Sequence, residues 1–352
     1  MTNMAGKTSF QTVLDGKIRC ELCPRHCCLR TGQRGFCYVR KNTGSAIECT
    51  AYGRTTGFCI DPIEKKPLNH FYPGSPVLSF GTAGCCLGCR FCQNWHTNKV
   101  RLTDSALSQA APEQIVKAAI NTNCLGLAYT YNEPVIWAEF AANTAETAHN
   151  HGLKNIAVTS GYISAQARPY FFRYMDAANV DLKGFTQDFY GKLCFAKLKH
   201  VLDTLCYIRQ ETKVWLEITT LLISGLNDTP QEIKNMCQWI IKELGSDVPL
   251  HFTAFHPDFL LRSIPPTPAE TLLKARQIAK DSGLHYVYTG NIRHPESQST
   301  YCPKCGKLLI ERDWHETSIH SLKDGHCPCG AEIAGHFGTC GHWGRKRQIV
   351  EI

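Results

Sequence analysis

Short apolar runs alternate with stretches of helical periodicity through the centre of the chain. The runs have the length and β-branched content of buried strands, and the predicted strands are 76–80, 125–131, 153–159, 179–183, 213–223, 250–255 and 285–289. The alternation of strand and helix repeats about six times, which indicates an α/β fold with a parallel sheet and helices outside it. This pattern leaves open a doubly wound sheet or a closed or partial barrel.

The helix predicted over 230–244 has clear start and stop signals. Thr229 precedes Pro230, and Glu232 stands where it completes a capping box. Gly245 is the expected stop. The apolar residues that form one stripe along this helix are Ile233, Met236, Cys237, Ile240 and Leu244.

Two more helix starts are predicted from proline. Thr267, Pro268 and Glu270 repeat the pattern of an N-cap, a first-turn proline and a capping box. A further helix is expected over 134–150, and it also opens on a proline, which helix starts tolerate.

Polar or unusual residues follow the predicted strands at the point where each strand ends. In chain order they are the cysteines of 85–92, Asn132 and Glu133, Ser160 and Gly161, Asp181 and Lys183, residues 224–228, and His256. Asp181 and Lys183 fall inside a strand pattern and on one face, where charges need partners or a ligand. Because the carboxyl ends of parallel strands share one edge, these residues predict a site there.

Composition excludes several other classes of protein. The chain has 352 residues, 43% hydrophobic and 19% charged, with a mild formal net charge of +8 that is spread along the sequence. We expect no nucleic-acid partner, because the charge forms no dense basic stretch. No apolar run reaches about 18 residues and no secretory signal is recognisable, so we expect a cytoplasmic protein without a membrane span.

Thirteen of the twenty cysteines are gathered in three places, at 20–37, 85–92 and 302–329. In a protein without a secretory signal, clustered cysteines indicate metal ligands rather than disulfides. The isolated cysteines are expected to be small buried residues; these are Cys49, Cys59, Cys124, Cys194, Cys206 and Cys237.

The central group lies in "GTAGCCLGCRFCQNW", residues 81–95. Starting from Cys86, the spacing opens a bacterial ferredoxin pattern, but the last cysteine and the proline of that pattern are missing. Starting from Cys85, the spacing is C-x3-C-x2-C, with Cys85, Cys89 and Cys92 as ligands. Three ligands hold a four-iron cluster and leave one iron open, which favours a catalyst over an electron carrier.

The C-terminal group has the paired knuckles of a zinc ribbon. The predicted ligands are the cysteines of "CPKCG" (302–306) and "CPCG" (327–330), namely Cys302, Cys305, Cys327 and Cys329. The second knuckle is one residue short, so His326 or Cys340 remains an alternative to Cys329. We favour the four cysteines and zinc.

The N-terminal group has metal-like spacing in an irregular segment rich in glycine, proline and charge. Its predicted ligands are Cys20, Cys23, Cys27 and Cys37, with Cys28 as an alternative ligand. Zinc and a second iron–sulfur cluster both fit this spacing. The domains expected from these patterns are a Cys-rich module over 1–75, a core over 76–295 and a zinc-ribbon-like module over 296–352.

Longer motifs point to a family. These are "CPRHCCLRTGQRGFCYVRKN" (23–42), "FYPGSPVLSFGTAGC" (71–85), "CQNW" (92–95), "YTYNEP" (129–134), "VTSGY" (158–162), "ANVDLKGF" (178–185), "PLHFTAFHP" (249–257) and "YTGNI" (288–292). Over nearly the whole chain the sequence resembles the AmmeMemoRadiSam-system radical enzyme family. That family belongs to the radical S-adenosylmethionine superfamily and is related to the pyruvate formate-lyase activating enzymes. The resemblance implies a partial (β/α)6 barrel.

The resemblance also implies an activity and its cofactors. A [4Fe–4S] cluster on the three central cysteines would cleave S-adenosylmethionine reductively, and the resulting 5′-deoxyadenosyl radical would abstract hydrogen from a substrate. Two alternatives stay open: a glycyl-radical activase acting on a partner protein, and a non-catalytic metal-binding or electron-transfer protein. The implied partners are Memo-like and AMMECR-like companion proteins and a reductant such as flavodoxin or ferredoxin.

Residue roles follow from the resemblance position by position. Asn132 and Glu133 would meet the methionyl amino group, and Ser160 and Gly161 would lie near the ribose or carboxylate. Lys183 would lie opposite the methionyl carboxylate, and Asp181 would orient Lys183 or meet substrate. His256 would lie near the adenosine.

Overall fold

The structure is a computed structural model that describes residues 8–98, 108–338, 341–344 and 346–352. Its strands are β1 Gln11–Leu14, β2 Lys17–Cys20, β3 Cys28–Leu29, β4 Arg40–Asn42, β5 Ile47–Cys49, β6 Arg54–Thr55, β7 Phe58–Pro62, β8 Pro76–Phe80, β9 Ser108–Gln109, β10 Gly126–Tyr129, β11 Lys154–Thr159, β12 Ala177–Asp181, β13 Trp215–Leu222, β14 Leu250–Ala254, β15 Val287–Gly290, β16 Thr300–Tyr301, β17 Leu308–Asp313, β18 Glu316–Ile319 and β19 Gln348–Val350.

Its α-helices are α1 Trp95–Asn98, α2 Pro112–Asn121, α3 Ala138–Asn150, α4 Arg168–Phe172, α5 Gln187–Phe189, α6 Leu198–Glu211, α7 Pro230–Leu244, α8 Ala269–Asp281 and α9 Pro295–Gln298. Short 3-10 turns occupy Ile63–Lys65, Pro134–Trp137 and Ala165–Ala167, and a π-helical turn occupies Tyr190–Cys194.

A nine-stranded sheet in the order β15-β14-β13-β12-β11-β10-β8-β7-β19 organises the described chain. Strands β8 and β10 to β15 pair in parallel, whereas β7 is antiparallel to β8 and β19 is antiparallel to β7. The parallel strands follow one another in chain order, without the reversal of order that defines a doubly wound sheet. The predicted α/β class is therefore confirmed, and the doubly wound alternative is wrong.

Every predicted strand is present, with small shifts at the ends. Strand β8 has the predicted bounds, 76–80. Strand β12 starts earlier than predicted and ends at Asp181, so Lys183 lies in the loop beyond it. The placement of Lys183 inside the strand is wrong, because the chain leaves the sheet directly after Asp181.

Neighbouring residues on the central strands are buried on opposite faces of the sheet. Val77, Ala128, Ile156 and Ala177 belong to one buried cluster, together with residues of the segment 63–71. The next residues on the same strands belong to the larger core cluster, which also contains the apolar faces of the outer helices. This two-sided burial explains the continuous apolar runs of the sequence.

Helix α7 has the predicted bounds, and its predicted stripe is buried. Thr229 accepts a hydrogen bond from the Glu232 backbone N–H at 3.3 Å, as an N-cap should. The Glu232 carboxylate does not close the capping box; it accepts from the Phe185 N–H at 2.7 Å. The helix end thus anchors the loop after β12.

Helix α8 begins differently from the prediction. Its N-cap is Pro268, which offers no side-chain hydrogen bond. The Thr267 hydroxyl donates instead to the Leu222 carbonyl at 2.6 Å, at the end of β13. The predicted Thr267 cap is therefore wrong, because a tertiary hydrogen bond takes the hydroxyl that local capping would use. The helix predicted over 134–150 is confirmed, with a 3-10 first turn before α3.

The two ends of the chain add strands to the central sheet. Strand β7 comes from the Cys-rich N-terminal segment, and β19 comes from the C-terminal segment. The N-terminal segment also forms the sheet β1-β2-β3, and the C-terminal segment forms the sheet β16-β17-β18. The division into modules at 75/76 and 295/296 stays a prediction.

Candidate functional site

A cavity of about 420 Å³ opens at the carboxyl ends of the parallel strands. Among the residues predicted from the sequence, those that line it are Cys85, Cys89, Cys92, Asn132, Glu133, Ser160, Asp181 and Lys183. The loops after β8, β10 and β11 and the end of β12 deliver them, as the topology of a parallel sheet requires. The structure therefore brings the three central cysteines together with most of the predicted polar residues.

The cysteine loop directly follows β8 and has donors beside its sulfurs. The Leu87 N–H donates to Cys85 Sγ at 3.4 Å, and Asn98 Nδ2 donates to Cys92 Sγ at 3.7 Å. Gly84 has φ +86°, and a Cβ there would meet the Cys37 carbonyl oxygen at 2.2 Å. Glycine is required at this position because the loop presses against the N-terminal segment in a left-handed conformation.

Asn132 holds the start of the cysteine loop. Its side-chain oxygen accepts from the Thr82 N–H at 3.1 Å, and its amide nitrogen donates to Thr82 Oγ1 and the Gly84 carbonyl, each at 3.0 Å. The Trp137 indole also donates to the same oxygen at 3.2 Å. The buried amide is thus committed to protein groups, which makes it a positioning element for the loop.

Glu133 is a buried carboxylate at the cavity wall. It accepts from the Ser160 N–H at 2.7 Å, from the Ser160 and Thr159 hydroxyls, and from the Val135 N–H at 3.3 Å. Burial raises the pKa of Glu133 above its ordinary value, although the hydrogen bonds from Ser160 and Thr159 oppose this. A cationic ligand group in the cavity would stabilise the ionised carboxylate.

Asp181 and Lys183 form an ion pair of 2.8 Å at the cavity. Burial alone would lower the pKa of Lys183, but the charges of Asp181 and Cys89 outweigh it and raise that pKa. The lysine is therefore cationic at neutral pH, beside the thiols and within reach of an anionic ligand group.

Gly161 and His256 do not line the cavity. Gly161 has φ +66° and lies against Val180 and Thr204, so it shapes the turn after β11. His256 is exposed, and its Nδ1 is 3.1 Å from the Pro257 carbonyl oxygen. A direct contact of either residue with a ligand in this cavity has no support in the geometry.

Sequence reasoning missed a threonine in the cavity wall. Thr219 lies beside Asp181 in the register of β12 and β13 and is 6% exposed. Within the described part of the chain its hydroxyl has no hydrogen-bond partner. A buried hydroxyl without a partner is rare, so Thr219 is a candidate contact for a ligand in this cavity. Its apolar strand context gives no sequence signal.

A charged group at the cavity was also missed. Asp61 is fully buried between Lys65 and Lys66, at 2.6 and 2.7 Å, and the Tyr131 hydroxyl donates to it at 2.7 Å. Burial lowers the pKa of Lys66 to about 8, against the opposing effect of Asp61. Both lysines and Tyr131 line the cavity. The run "EKK" at 64–66 looks like an ordinary surface charge cluster, and only the pairing of β7 with β8 brings it here.

Cys194 contacts the candidate cluster ligand Cys89. It lies in the π-helical turn, its carbonyl accepts from the Gly88 N–H at 2.8 Å, and burial together with the charge of Cys89 raises the pKa of its thiol. Most of the isolated cysteines are buried as predicted, but Cys206 is half-buried. For Cys194 the prediction of a simple apolar filler is incomplete, because this thiol touches the site.

The C-terminal cysteines meet at one point. The sulfurs of Cys302, Cys305, Cys327 and Cys329 lie within 4.8 Å of one another. Cys302 and Cys329 are 3.6 Å apart, as are Cys305 and Cys327. Sulfurs around a tetrahedral zinc would be about 3.8 Å apart, given a zinc–sulfur bond of about 2.3 Å. The geometry thus suits a single ion.

Of the two alternatives to Cys329, His326 is not part of this group. The Nδ1 atom of His326 lies 2.7 Å from the Asp324 carbonyl oxygen. Cys340 lies outside the described residues.

The N-terminal cysteines line a second, small cavity. Cys20, Cys23, Cys27 and Cys37 form its wall together with Cys86 from the central loop. Cys28 is exposed and does not line it.

Comparison with known proteins places the central site in a family. The family model of the Radical SAM superfamily matches residues 80–240, which hold the cysteine loop and strands β10 to β13. An uncharacterized protein from Methanocaldococcus jannaschii is 43% identical over 313 residues, covering 89% of this chain and 93% of that protein. Residues 80–240 therefore form a domain of the radical SAM superfamily. Membership implies an enzyme that uses a [4Fe–4S] cluster and S-adenosylmethionine.

Two solved structures resemble the chain at low sequence identity. A radical SAM methyltransferase from Sphaerobacter thermophilus has a TM-score of 0.49 and 16% identity, covering 68% of this chain and 71% of that one. A domain of a pyruvate-formate lyase-activating enzyme from Bacteroides vulgatus has a TM-score of 0.42 and 17% identity, covering 47% of this chain and 99% of that domain. At this distance they indicate no reaction.

The cavity fits the cofactors that membership implies. Three thiols with N–H donors beside two of them suit an iron–sulfur cluster, because such donors stabilise thiolate charge. A buried carboxylate, a cationic lysine and an unpartnered hydroxyl beside them suit the ammonium, carboxylate and hydroxyl groups of S-adenosylmethionine. No helix in the described ranges has the length and apolar character needed to cross a membrane.

Proposed function

We propose that this protein cleaves S-adenosylmethionine reductively at the central cavity and uses the resulting radical to abstract hydrogen from a substrate. Cys85, Cys89 and Cys92 would hold the [4Fe–4S] cluster, with one iron left to the cofactor. When bound, the cluster supplies the electron that breaks the carbon–sulfur bond and releases the 5′-deoxyadenosyl radical. The chain-order succession of β8 and β10 to β15 supports the finer proposal of a partial (β/α)6 barrel.

Glu133 would bind the methionyl ammonium. It is a buried carboxylate with a raised pKa, so a cation in the cavity satisfies a charge that burial disfavours. Ser160 and Thr159 hold both of its oxygens in place by hydrogen bonds. Ser160 acts on the cofactor through Glu133 in this proposal, and Gly161 allows the tight turn that places Ser160.

Lys183 would bind the methionyl carboxylate, and Asp181 would keep the lysine oriented and charged. Their 2.8 Å ion pair beside the cluster thiols supports this role. Asn132 would act one step away from the cofactor, by fixing residues 82–84 and with them the position of Cys85. His256, exposed outside the cavity, would meet the adenosine only if its loop changed position.

The resemblance to the AmmeMemoRadiSam-system enzymes adds proposals beyond the site. Memo-like and AMMECR-like proteins would be the companions, flavodoxin or ferredoxin the one-electron reductant, and the cytoplasm the location. The 3.6 Å sulfur pairs among Cys302, Cys305, Cys327 and Cys329 support zinc in the C-terminal module.

The observation that carries the proposed function is the shared cavity of the C-x3-C-x2-C cysteines with Glu133 and Lys183. The test is anaerobic reconstitution with iron and sulfide, followed by dithionite and S-adenosylmethionine. We expect 5′-deoxyadenosine and methionine as products. Cys89→Ala should abolish them, whereas Cys206→Ala, a half-buried cysteine of α6, should retain them. Absence of 5′-deoxyadenosine from protein with an intact four-iron cluster would refute the proposal.

A further inference from the structure

The N-terminal thiols are not explained by the chemistry of the central cavity. Cys20 and Cys37 are buried, Cys23 and Cys27 are half-buried, and all four line one enclosed cavity. Two turns of the irregular N-terminal segment bring them together, since the Cys20 N–H donates to the Cys27 carbonyl at 2.9 Å and Cys37 lies next to Tyr38, which has a positive φ. Free thiols gathered in this way favour metal binding.

The spacing of these thiols differs from that of the C-terminal group. A single zinc ion needs its sulfurs about 3.8 Å apart, and the C-terminal thiols meet that requirement. Among the residues that the structure describes, the N-terminal thiols form no group within 4.8 Å, and neither do Cys85, Cys89 and Cys92. Ligand sulfurs of a four-iron cluster stand farther apart, because each binds a different iron. In the described part of the chain, neither the N-terminal nor the central thiols are therefore gathered as closely as the C-terminal group, and that is compatible with a cluster rather than a single ion.

Cys86 connects the two thiol groups. It directly follows Cys85 in the chain, and it is buried and lines the same cavity as Cys20, Cys23, Cys27 and Cys37. Arg25 fixes this junction, because its guanidinium donates to the Cys86 carbonyl and to the Phe195 carbonyl, the latter at 2.5 Å. The two groups are therefore neighbours across a single side chain.

The cavity wall also carries positive charge. Arg25 and Arg40 both line it. Arg40 is matched by Glu139 at 2.5 Å, so Arg25 supplies the net cation. A cluster held by four thiolates is anionic, and a guanidinium beside it reduces the free energy of burying that charge.

We propose that Cys20, Cys23, Cys27 and Cys37 hold a second iron–sulfur cluster, which lies next to the cluster of Cys85, Cys89 and Cys92 and is separated from it by the Cys86 thiol. The assignment does not rest on the cleavage of S-adenosylmethionine, because it concerns a separate set of ligands. It resolves the choice between zinc and iron that the cysteine spacing left open.

The test uses the full chain without its central ligands. The triple variant Cys85→Ala, Cys89→Ala, Cys92→Ala is reconstituted anaerobically with iron and sulfide, and bound iron, sulfide and zinc are measured. We expect about eight irons per wild-type chain and about four in the triple variant, with the Mössbauer spectrum of a four-iron cluster. Iron at background level in a folded triple variant, with a second zinc ion in its place, would overturn the proposal.

Single variants test the same assignment if the triple variant misfolds. Cys37→Ser should lower wild-type iron from about eight to about four while the central cluster still binds S-adenosylmethionine. Cys28→Ala is the matched control, since Cys28 is adjacent to Cys27 but exposed and outside the cavity, and it should retain all of the iron. Equal iron content in Cys37→Ser and wild type would contradict the assignment.

A magnetic measurement tests the proximity of the two clusters. In fully reduced wild-type protein, the electron paramagnetic resonance signals of neighbouring clusters should broaden each other. This broadening should vanish in both Cys37→Ser and the triple variant. A wild-type spectrum that equals the sum of the spectra of the two variants would refute the arrangement around Cys86.

Discussion

Thr219 and Thr220 allow a matched test of the cavity. They are adjacent on β13, and both are buried, with exposures of 6% and 1%. The Thr220 hydroxyl donates to the Leu182 carbonyl at 2.8 Å, whereas the Thr219 hydroxyl has no partner among the described residues and faces the cavity. Replacing either residue by valine keeps the shape and removes only the hydroxyl.

The two substitutions should change the free energy of unfolding in opposite directions. An unpartnered buried hydroxyl is unfavourable by about 1–3 kcal/mol, and an intramolecular hydrogen bond contributes about 0.5–1.5 kcal/mol. Thr219→Val should therefore raise the free energy of unfolding by about 1 kcal/mol. Thr220→Val should lower it by about 1–2 kcal/mol, because the Leu182 carbonyl loses its donor.

Binding of S-adenosylmethionine should show the reverse order. If the Thr219 hydroxyl bonds the cofactor, Thr219→Val should raise its Kd by about three- to tenfold, which corresponds to one hydrogen bond. Thr220→Val should leave the Kd unchanged. The assays are guanidinium unfolding of equally reconstituted proteins and equilibrium binding without reductant. A Thr219→Val protein destabilised as much as Thr220→Val, with unchanged cofactor binding, would refute the reasoning.

Three further predictions concern the other groups of the site and the C-terminal metal. The raised pKa of Glu133 means that folding favours its protonated form, so the stability of the cofactor-free protein should fall as pH rises from the ordinary carboxyl pKa to the folded pKa. Cofactor binding should strengthen over the same pH range. Glu133→Gln should flatten both pH profiles and weaken binding by about tenfold or more, as measured by unfolding and binding titrations against pH. Cys194→Ala should lower the reduction potential of the central cluster, because it removes a polar thiol that interacts with Cys89. Cys237→Ala, which changes a buried cysteine of α7, should leave the potential unchanged; spectroscopic redox titration measures both. In metal analysis, Cys329→Ser should have lost tightly bound zinc and His326→Ala should have retained it. The opposite result would identify His326 as the fourth ligand.

Local sequence signals predicted the elements well where local forces decide them. Strand β8 and helix α7 have their predicted bounds, because two-sided burial produces a continuous apolar run and one-sided burial produces a stripe. The predicted N-cap of α8 was wrong because the Thr267 hydroxyl donates to a competing acceptor on β13, which is distant in sequence. The edge strand β19 had no local signal, since its register with β7 is a long-range contact.

The same division holds for the site. The spacing of Cys85, Cys89 and Cys92 and the polar strand ends were readable, because parallel strands deliver their carboxyl ends to one edge. The hydrogen bonds of the Asn132 amide to the cysteine loop could not be predicted from the sequence, and neither could the position of Cys194 beside Cys89. Hydrogen-bond partners depend on which loops meet, and sequence spacing does not encode that.

The sequence by itself determined the alternating α/β architecture, the cysteine groups and the superfamily chemistry that they imply. Each of these depends on the order and spacing of residues along one stretch of chain. Only the tertiary structure decided which groups face the cavity, which hydroxyl there lacks a partner, and that Cys86 lines the cavity of the N-terminal cysteines. Those facts arise from packing between distant segments, where close contact and exclusion of water decide which polar groups are paired.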